Sequence, residues 1–285
     1  MRENIIELIF QIVEQKDAFD ILEKHLAKTT RKQLSESIIE CGILPEVFAH
    51  DSSEEKLWAK YSDIMLATAL SFVEIPAEVL RTRGNAADVF GKSKAYSIVG
   101  DAKTFRLSRS AKNQKDFKVK ALDDWRKANN YAVLVSPLIQ YPKRESQIYA
   151  QAIDRNVTLL SYTHLSFLLD SHEGQDLRPL WEIGNDLRKS LKEKEHQNSQ
   201  VYWREIDKAI CRIVGKKVQD LQKYKVLEIE KTKEIGNEGI VYWQSKIKEY
   251  NELPKEEAVR LLIKAEKIEE KIKTIQKAIK VKLEV

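Results

Sequence analysis

The chain has 285 residues, 42% hydrophobic and 33% charged, with a formal net charge of +5 from 49 basic and 44 acidic residues. That supplies apolar material for one large or two small cores. No apolar run approaches the roughly 20 residues needed to cross a bilayer, which excludes a helical membrane protein. Cys41 and Cys211 are far apart and lack the spacing of a disulfide framework or a zinc site. They read as small buried residues in a reducing cytoplasm. The opening Met1-Arg2-Glu3-Asn4 carries no signal-peptide pattern.

Residues 3–40 read as two amphipathic helices, with Ile5, Ile6, Leu8, Ile9, Ile12 and Val13, then Leu22, Leu26, Leu34 and Ile38, at helical spacing. Gly42 and Pro45 end that pattern. Asp51-Ser52-Ser53 supplies caps for a helix over 54–72 with Leu57, Trp58, Tyr61, Ile64 and Met65 on its core face. Arg83-Gly84-Asn85 is a turn, Asp88-Val89-Phe90 a short strand, and 95–105 the next strand after the turn Gly91-Lys92-Ser93. A helix over 115–128, a strand over 131–135, a helix over 144–154, a strand over 157–162 and a helix to 169 follow. Strand and helix in strict alternation predict parallel pairing. The preceding hairpin adds an antiparallel pair, so the fold class is α/β with a central mixed sheet flanked by helices. Beyond residue 187 the pattern is helical: 201–225, 240–250 and a last helix from Pro254 to 281, with the charged 189–200 as a linker or helix end. We expect a single domain over 1–285, with a helical N-terminal region (1–50), an α/β catalytic core (51–186) and a helical C-terminal region (187–285).

The triplet Asp101-Ala102-Lys103 falls in the strand over 95–105. Strand side chains alternate, so Asp101 and Lys103 share a face and Ala102 takes the other. Asp88, on the partner strand of the hairpin, adds a second carboxylate. Two carboxylates and the Ala102 carbonyl are hard oxygen donors for Mg²⁺. Lys103 would orient an attacking water or neutralise a phosphate. From Asp101 to Lys127 there are nine basic and four acidic residues, a local excess of +5 that equals the net charge of the whole chain and suits a phosphodiester substrate. The expectation is metal-dependent hydrolysis of DNA. A DNA-binding protein without catalysis, and a repair or recombination nuclease, are the rival readings.

The stretch from Gly100-Asp101-Ala102-Lys103-Thr104-Phe105 through Lys118-Val119-Lys120-Ala121-Leu122 resembles the HindIII family of type II restriction endonucleases. Gly42-Ile43-Leu44-Pro45-Glu46, Arg83-Gly84-Asn85-Ala86, Tyr131-Ala132-Val133-Leu134 and Gln140-Tyr141-Pro142 resemble it too, in the same order. The resemblance implies the PD-(D/E)xK nuclease core (the restriction-endonuclease-like fold), Mg²⁺ as cofactor, a homodimer, and cleavage of double-stranded DNA at AAGCTT after the first A to leave 5′ overhangs. It also implies a cognate DNA methyltransferase as functional partner in a prokaryotic cytoplasm. Asp88 would be the first acid, with Ala87 where the family pattern has Pro, and Asp101-x-Lys103 the second half. A second frame makes Asp101 the first acid and Asp116-Phe117-Lys118 the Asp-x-Lys. The first frame is preferred, because Asp116 and Lys118 fall at a helix start, where residues two apart diverge.

Glu55, on the helix before the core, is a further catalytic candidate, set against an exposed first-turn Glu favoured by the helix dipole. For base reading, Asn113 suits adenine, Lys115 and Lys118 suit guanine, and Ala111 suits a thymine methyl. Arg106, Arg109, Lys112 and Lys120 are expected on phosphates. The five histidines show no metal or catalytic spacing. The helical flanks 3–40 and 240–281 are the candidate dimer surface.

Overall fold

The computed structural model describes residues 1–81, 86–109 and 114–278. These fall into two compact units, Met1–Gly236 and the residues from Asn237 onward. The first unit opens with three helices rather than two: α1 (Arg2–Ile12), α2 (Ala18–Leu26) and α3 (Arg31–Cys41). The capping box of Thr30 and Gln33 starts α3, a local signal that the periodicity alone passes over. The long α4 (Ser53–Phe72) is capped by Ser52. Then come β1 (Ala77–Val79), β2 (Val89–Lys92) and β3 (Ser97–Ala102), α5 (Gln114–Phe117), α6 (Val119–Arg126), β4 (Tyr131–Ser136), α7 (Gln147–Arg155), β5 (Val157–Ser161) and α8 (Tyr162–Ser171). The five strands lie side by side in sequence order. β1–β2 and β2–β3 are antiparallel, β3–β4 and β4–β5 parallel, so the sheet is mixed as the alternation predicts. β1 is an addition: three residues after Pro76, with no alternation of their own, recruited by pairing with β2.

α4 packs against β1, β2 and β3, while α6 packs against β3 and β4 and α7 against β5. Gly100 lets α4 come close, since a Cβ there would lie 3.0 Å from Leu66 Cδ2. The apolar faces of α1–α3 are spent inside the unit: Ile5, Ile9, Leu22, Leu26, Leu34 and Ile38 are all buried. After α8 come α9 (Arg178–Trp181), α10 (Ile183–Ser190), α11 (Ser199–Ile213) and α12 (Val218–Glu252). The segment 189–200 is tied in, with Glu145 bridging to Asn198. Gly215, at φ +65°, divides the expected 201–225 helix into α11 and the start of α12. In the second unit, α13 (Lys255–Ala265) and α14 (Ile268–Ala278) replace the single last helix, separated at Lys267 with φ +52°. Many apolar side chains of that unit are exposed, among them Ile240, Trp243, Ile247, Leu262 and Ile275.

At the β5–α8 junction, buried polar groups close on one another. The Ser161 hydroxyl caps α8 and meets His164 Nδ1 at 2.8 Å. The Ser161 N–H donates to the same ring nitrogen, so Nε2–H donates to Asp207 Oδ1 at 3.0 Å. Lys225 pairs with Asp207 Oδ2, and Glu228 accepts from the Leu138 amide at 2.7 Å and the Thr163 hydroxyl. Burial pushes the His164 imidazole below its usual range against the pull of Asp207. Burial raises Asp207, but His164 and Lys225 outweigh it and hold the carboxyl low. The Ser161–His164–Asp207 order is that of a charge-relay chain, yet Ser161 is fully buried and its hydroxyl is committed to the helix cap.

Candidate active site

The C-terminal end of β3 positions the candidate site. Val89 pairs with Gly100, so Asp88 and Asp101 come next on their two strands. Lys103 continues the parallel ladder, its N–H donating to the Val135 carbonyl at 2.7 Å. Its own carbonyl accepts from the Tyr162 hydroxyl at 3.1 Å. With the backbone pinned on both sides, Lys103 Nζ lies 2.5 Å from Asp101 Oδ2. Asp88, Asp101, Ala102 and Lys103 line one cleft of about 440 Å³, together with Glu55, Lys60 and Asp63 from α4.

Asp101 is 1% exposed, and neither oxygen accepts a well-directed hydrogen bond. Burial raises its pKa, against the opposing charge of Lys103; Asp88 adds to the rise and Lys118 lowers it. The charge of Lys118, expected on a base edge, therefore reaches Asp101 at the end of β3. Lys60 and Asp63 are residues that the sequence reading missed. Lys60 Nζ donates to Asp63 Oδ2 at 2.9 Å and to Asp88 Oδ1 at 2.8 Å. Burial, with the Asp88 charge adding, pushes the Asp63 carboxyl up to about 8, while Lys60 opposes it. Burial would lower Lys60, but its two carboxylates outweigh that and raise it. A sequence signal existed: Asp63 stands three and four residues before the buried Leu66 and Ala67 and three after Lys60, an i,i+3 pair on the core face of the helix.

The other candidates divide. Glu55 lines the cleft, but its Oε2 accepts from the Asp51 amide at 2.9 Å and from Arg106 at 3.0 Å. Arg106, expected on phosphate, also donates to the carbonyls of Pro45, Glu46 and Ala49, which ties down the loop before α4. Asp116 pairs with Arg109 at 2.5 Å. Phe117, between Asp116 and Lys118, is buried and stacks on Tyr141, while Lys118 turns in the left-handed region at φ +50°. Asp116 and Lys118 thus share no strand face. Lys120 is exposed and pairs with Asp124 at 2.7 Å. Ala111, Lys112 and Asn113 lie outside the described residues, as does the side chain of Lys115.

The donor chemistry fits a hard divalent ion. Asp101 Oδ1 has no hydrogen bond while Oδ2 faces Lys103, Asp88 is partly exposed, and the Ala102 carbonyl lies between Asp101 and Lys103. No third acidic, histidine or cysteine ligand gathers with them among the described residues. So few oxygen donors suit Mg²⁺, which keeps several waters of its own. No described helix is long and apolar enough to cross a membrane.

Residues 5–279 match the family model for the HindIII restriction endonuclease. The type II restriction enzyme HindIII of Haemophilus influenzae is 37% identical over 289 residues, covering 98% of this chain and 95% of that protein.

Proposed function

We propose that this chain, which belongs to the HindIII restriction endonuclease family and is a type II site-specific deoxyribonuclease, cuts AAGCTT after its first A with Mg²⁺ as cofactor. Enzymes of this kind bind double-stranded DNA and generally need a divalent metal. Asp101, Asp88 and the Ala102 carbonyl would hold the ion, with Asp88, Asp101 and Lys103 as the catalytic set. When bound, Mg²⁺ supplies Lewis-acid activation of water and charge neutralisation at phosphorus. The chain's own residues do the rest. Lys103, fixed through its backbone, presents an ammonium to the scissile phosphate and steadies the charge of the pentacovalent centre. Asp101 holds that ammonium in place. Lys118 adds positive potential at the same strand end. The single observation that carries the reading is the buried Asp101 carboxylate, without well-directed hydrogen bonds, against the Lys103 ammonium. The whole chain is read as one endonuclease domain that works in a prokaryotic cytoplasm beside a cognate methyltransferase.

A palindromic target is matched by a twofold homodimer. Of the two flanks, α1–α3 use their apolar faces internally, whereas Ile240, Ile247 and Leu262 are more than half exposed, which favours the C-terminal helices as the dimer surface. Digestion of a plasmid of known sequence, with Mg²⁺ and with EDTA, followed by sequencing of the ends, tests the activity. Metal-dependent ends at AAGCTT are expected. Ends at another fixed site would discard the target sequence, and absence of cleavage in both conditions would overturn the catalytic reading.

A further inference from the structure

We infer that Lys60 and Asp63 of α4 are a positioning pair that presets Asp88 for the metal. The inference rests on the metal-dependent reading above. Asp88 sits just before β2, its carbonyl accepting from the Leu80 amide at 2.7 Å and its side chain 38% exposed. A carboxylate so placed has several rotamers to lose on binding an ion. Lys60 removes that freedom from one side. Its ammonium holds Asp88 Oδ1 at 2.8 Å, leaving Oδ2 as the oxygen to face the ion. Lys60 is in turn anchored by Asp63 Oδ2 at 2.9 Å, one helical turn along, and the Asp63 side chain is almost wholly buried. The chain Asp63–Lys60–Asp88 therefore runs from the packed face of α4 to the rim of the cleft. Metal-ligating carboxylates are characteristically oriented by such outer hydrogen bonds, and losing one costs about 10–100-fold in metal affinity or activity. A free Lys60 competing with the ion for Asp88 is the opposite reading. The anchor argues against it, because Lys60 moving away would leave the buried Asp63 Oδ2 without its hydrogen-bond partner.

Mn²⁺ binding to the full-length protein, followed by the electron paramagnetic resonance of free Mn²⁺, tests this directly. Lys60→Met is expected to weaken binding by about 10–100-fold, Asp63→Asn by less, and Lys60→Arg least of all. In cleavage assays, Lys60→Met raises the Mg²⁺ concentration needed for half-maximal rate, and the rate recovers at saturating Mg²⁺. A purely structural role would depress the rate at every Mg²⁺ concentration and lower the metal-free melting temperature. Lys60→Gln, which keeps a donor without the charge, serves if the Met variant does not fold. Asp88→Asn is the reference. If Asp88→Asn itself binds Mn²⁺ as wild type does, the metal reading of the site falls. If Asp88→Asn binds weakly while Lys60→Met binds normally or more tightly, the positioning role alone falls.

Discussion

At the β5–α8 junction, Asp207 meets both Lys225 and His164, and Glu228 meets two amides and a hydroxyl. At the end of β3, Asp101 is just as deeply buried, yet neither of its oxygens accepts a well-directed hydrogen bond. Both clusters belong to the same unit and take charge out of water at similar depth. Burying a polar group costs free energy unless its bonds are remade inside. The first cluster remakes them within the chain and works as a fastening between α8, α11 and α12. The second leaves Oδ1 of its deepest carboxylate without a partner, with Lys103 on Oδ2, and an unpartnered buried acceptor is what a ligand completes. The difference separates stability from chemistry residue by residue.

The largest effect should come from the open cluster. Asp101→Asn is expected to slow cleavage by at least about 10³-fold, roughly 4 kcal/mol of barrier, while the metal-free melting temperature stays level or rises, since a buried charge is removed. A substantial fall in melting temperature would mean that Asp101 is a fastening after all. Asp207→Ala should show the reverse. Breaking a buried pair costs about 3–5 kcal/mol, read as a lower urea midpoint, with the cleavage rate per folded molecule unchanged. A rate loss without destabilisation would erase the distinction. Glu228→Gln keeps the shape but weakens the charge-assisted bonds, for about 1–2 kcal/mol of stability.

The smallest and sharpest test is pH. His164 is held below its usual value of 6.5, so its contribution to stability is complete above that pH and is lost as pH falls. Asp63 is raised to about 8, so the folded chain keeps a proton that the unfolded chain releases near 3.8. Its contribution is therefore complete below 3.8 and is lost as pH rises toward 8. Melting curves from pH 5 to 9 should show Asp63→Asn removing a fall in stability that the wild type shows between pH 5 and about 8. An unchanged slope across that window would mean that Asp63 does not keep its proton on folding.

The sheet was legible because strands announce themselves in one dimension: β4 as the apolar run Tyr131–Ser136, β3 by Tyr96, Ile98 and Val99 ahead of the Asp-x-Lys triplet. The same local period picked out Asp101 and Lys103 as neighbours. β1 was not legible, because its strand character comes from β2 rather than from its own three residues. The breaks at Gly215 and Lys267 both went unread, the first because the apolar period on either side of the glycine continues, the second because no glycine or proline marks it. Lys60 and Asp63 were passed over as ordinary polar residues of α4, since what gives them meaning is Asp88, 28 positions from Lys60 in sequence. Arg106 looked like a phosphate ligand by composition, and only the folded loop reveals the three carbonyls that it holds. Side chain to backbone contacts of that kind leave no periodic trace.

The pinned backbone of Lys103 also has a consequence for biosynthesis. Both of its holds are made later than itself: the β4 carbonyl of Val135, then the hydroxyl of Tyr162, 59 residues downstream. A chain still on the ribosome can expose the whole Asp101-Ala102-Lys103 triplet and yet lack the frame that aims it. Long-range parallel pairing is intrinsically slow to form. If Lys103 acts as proposed, a nascent fragment that ends before α8 lacks one of these two holds and is expected not to cut DNA.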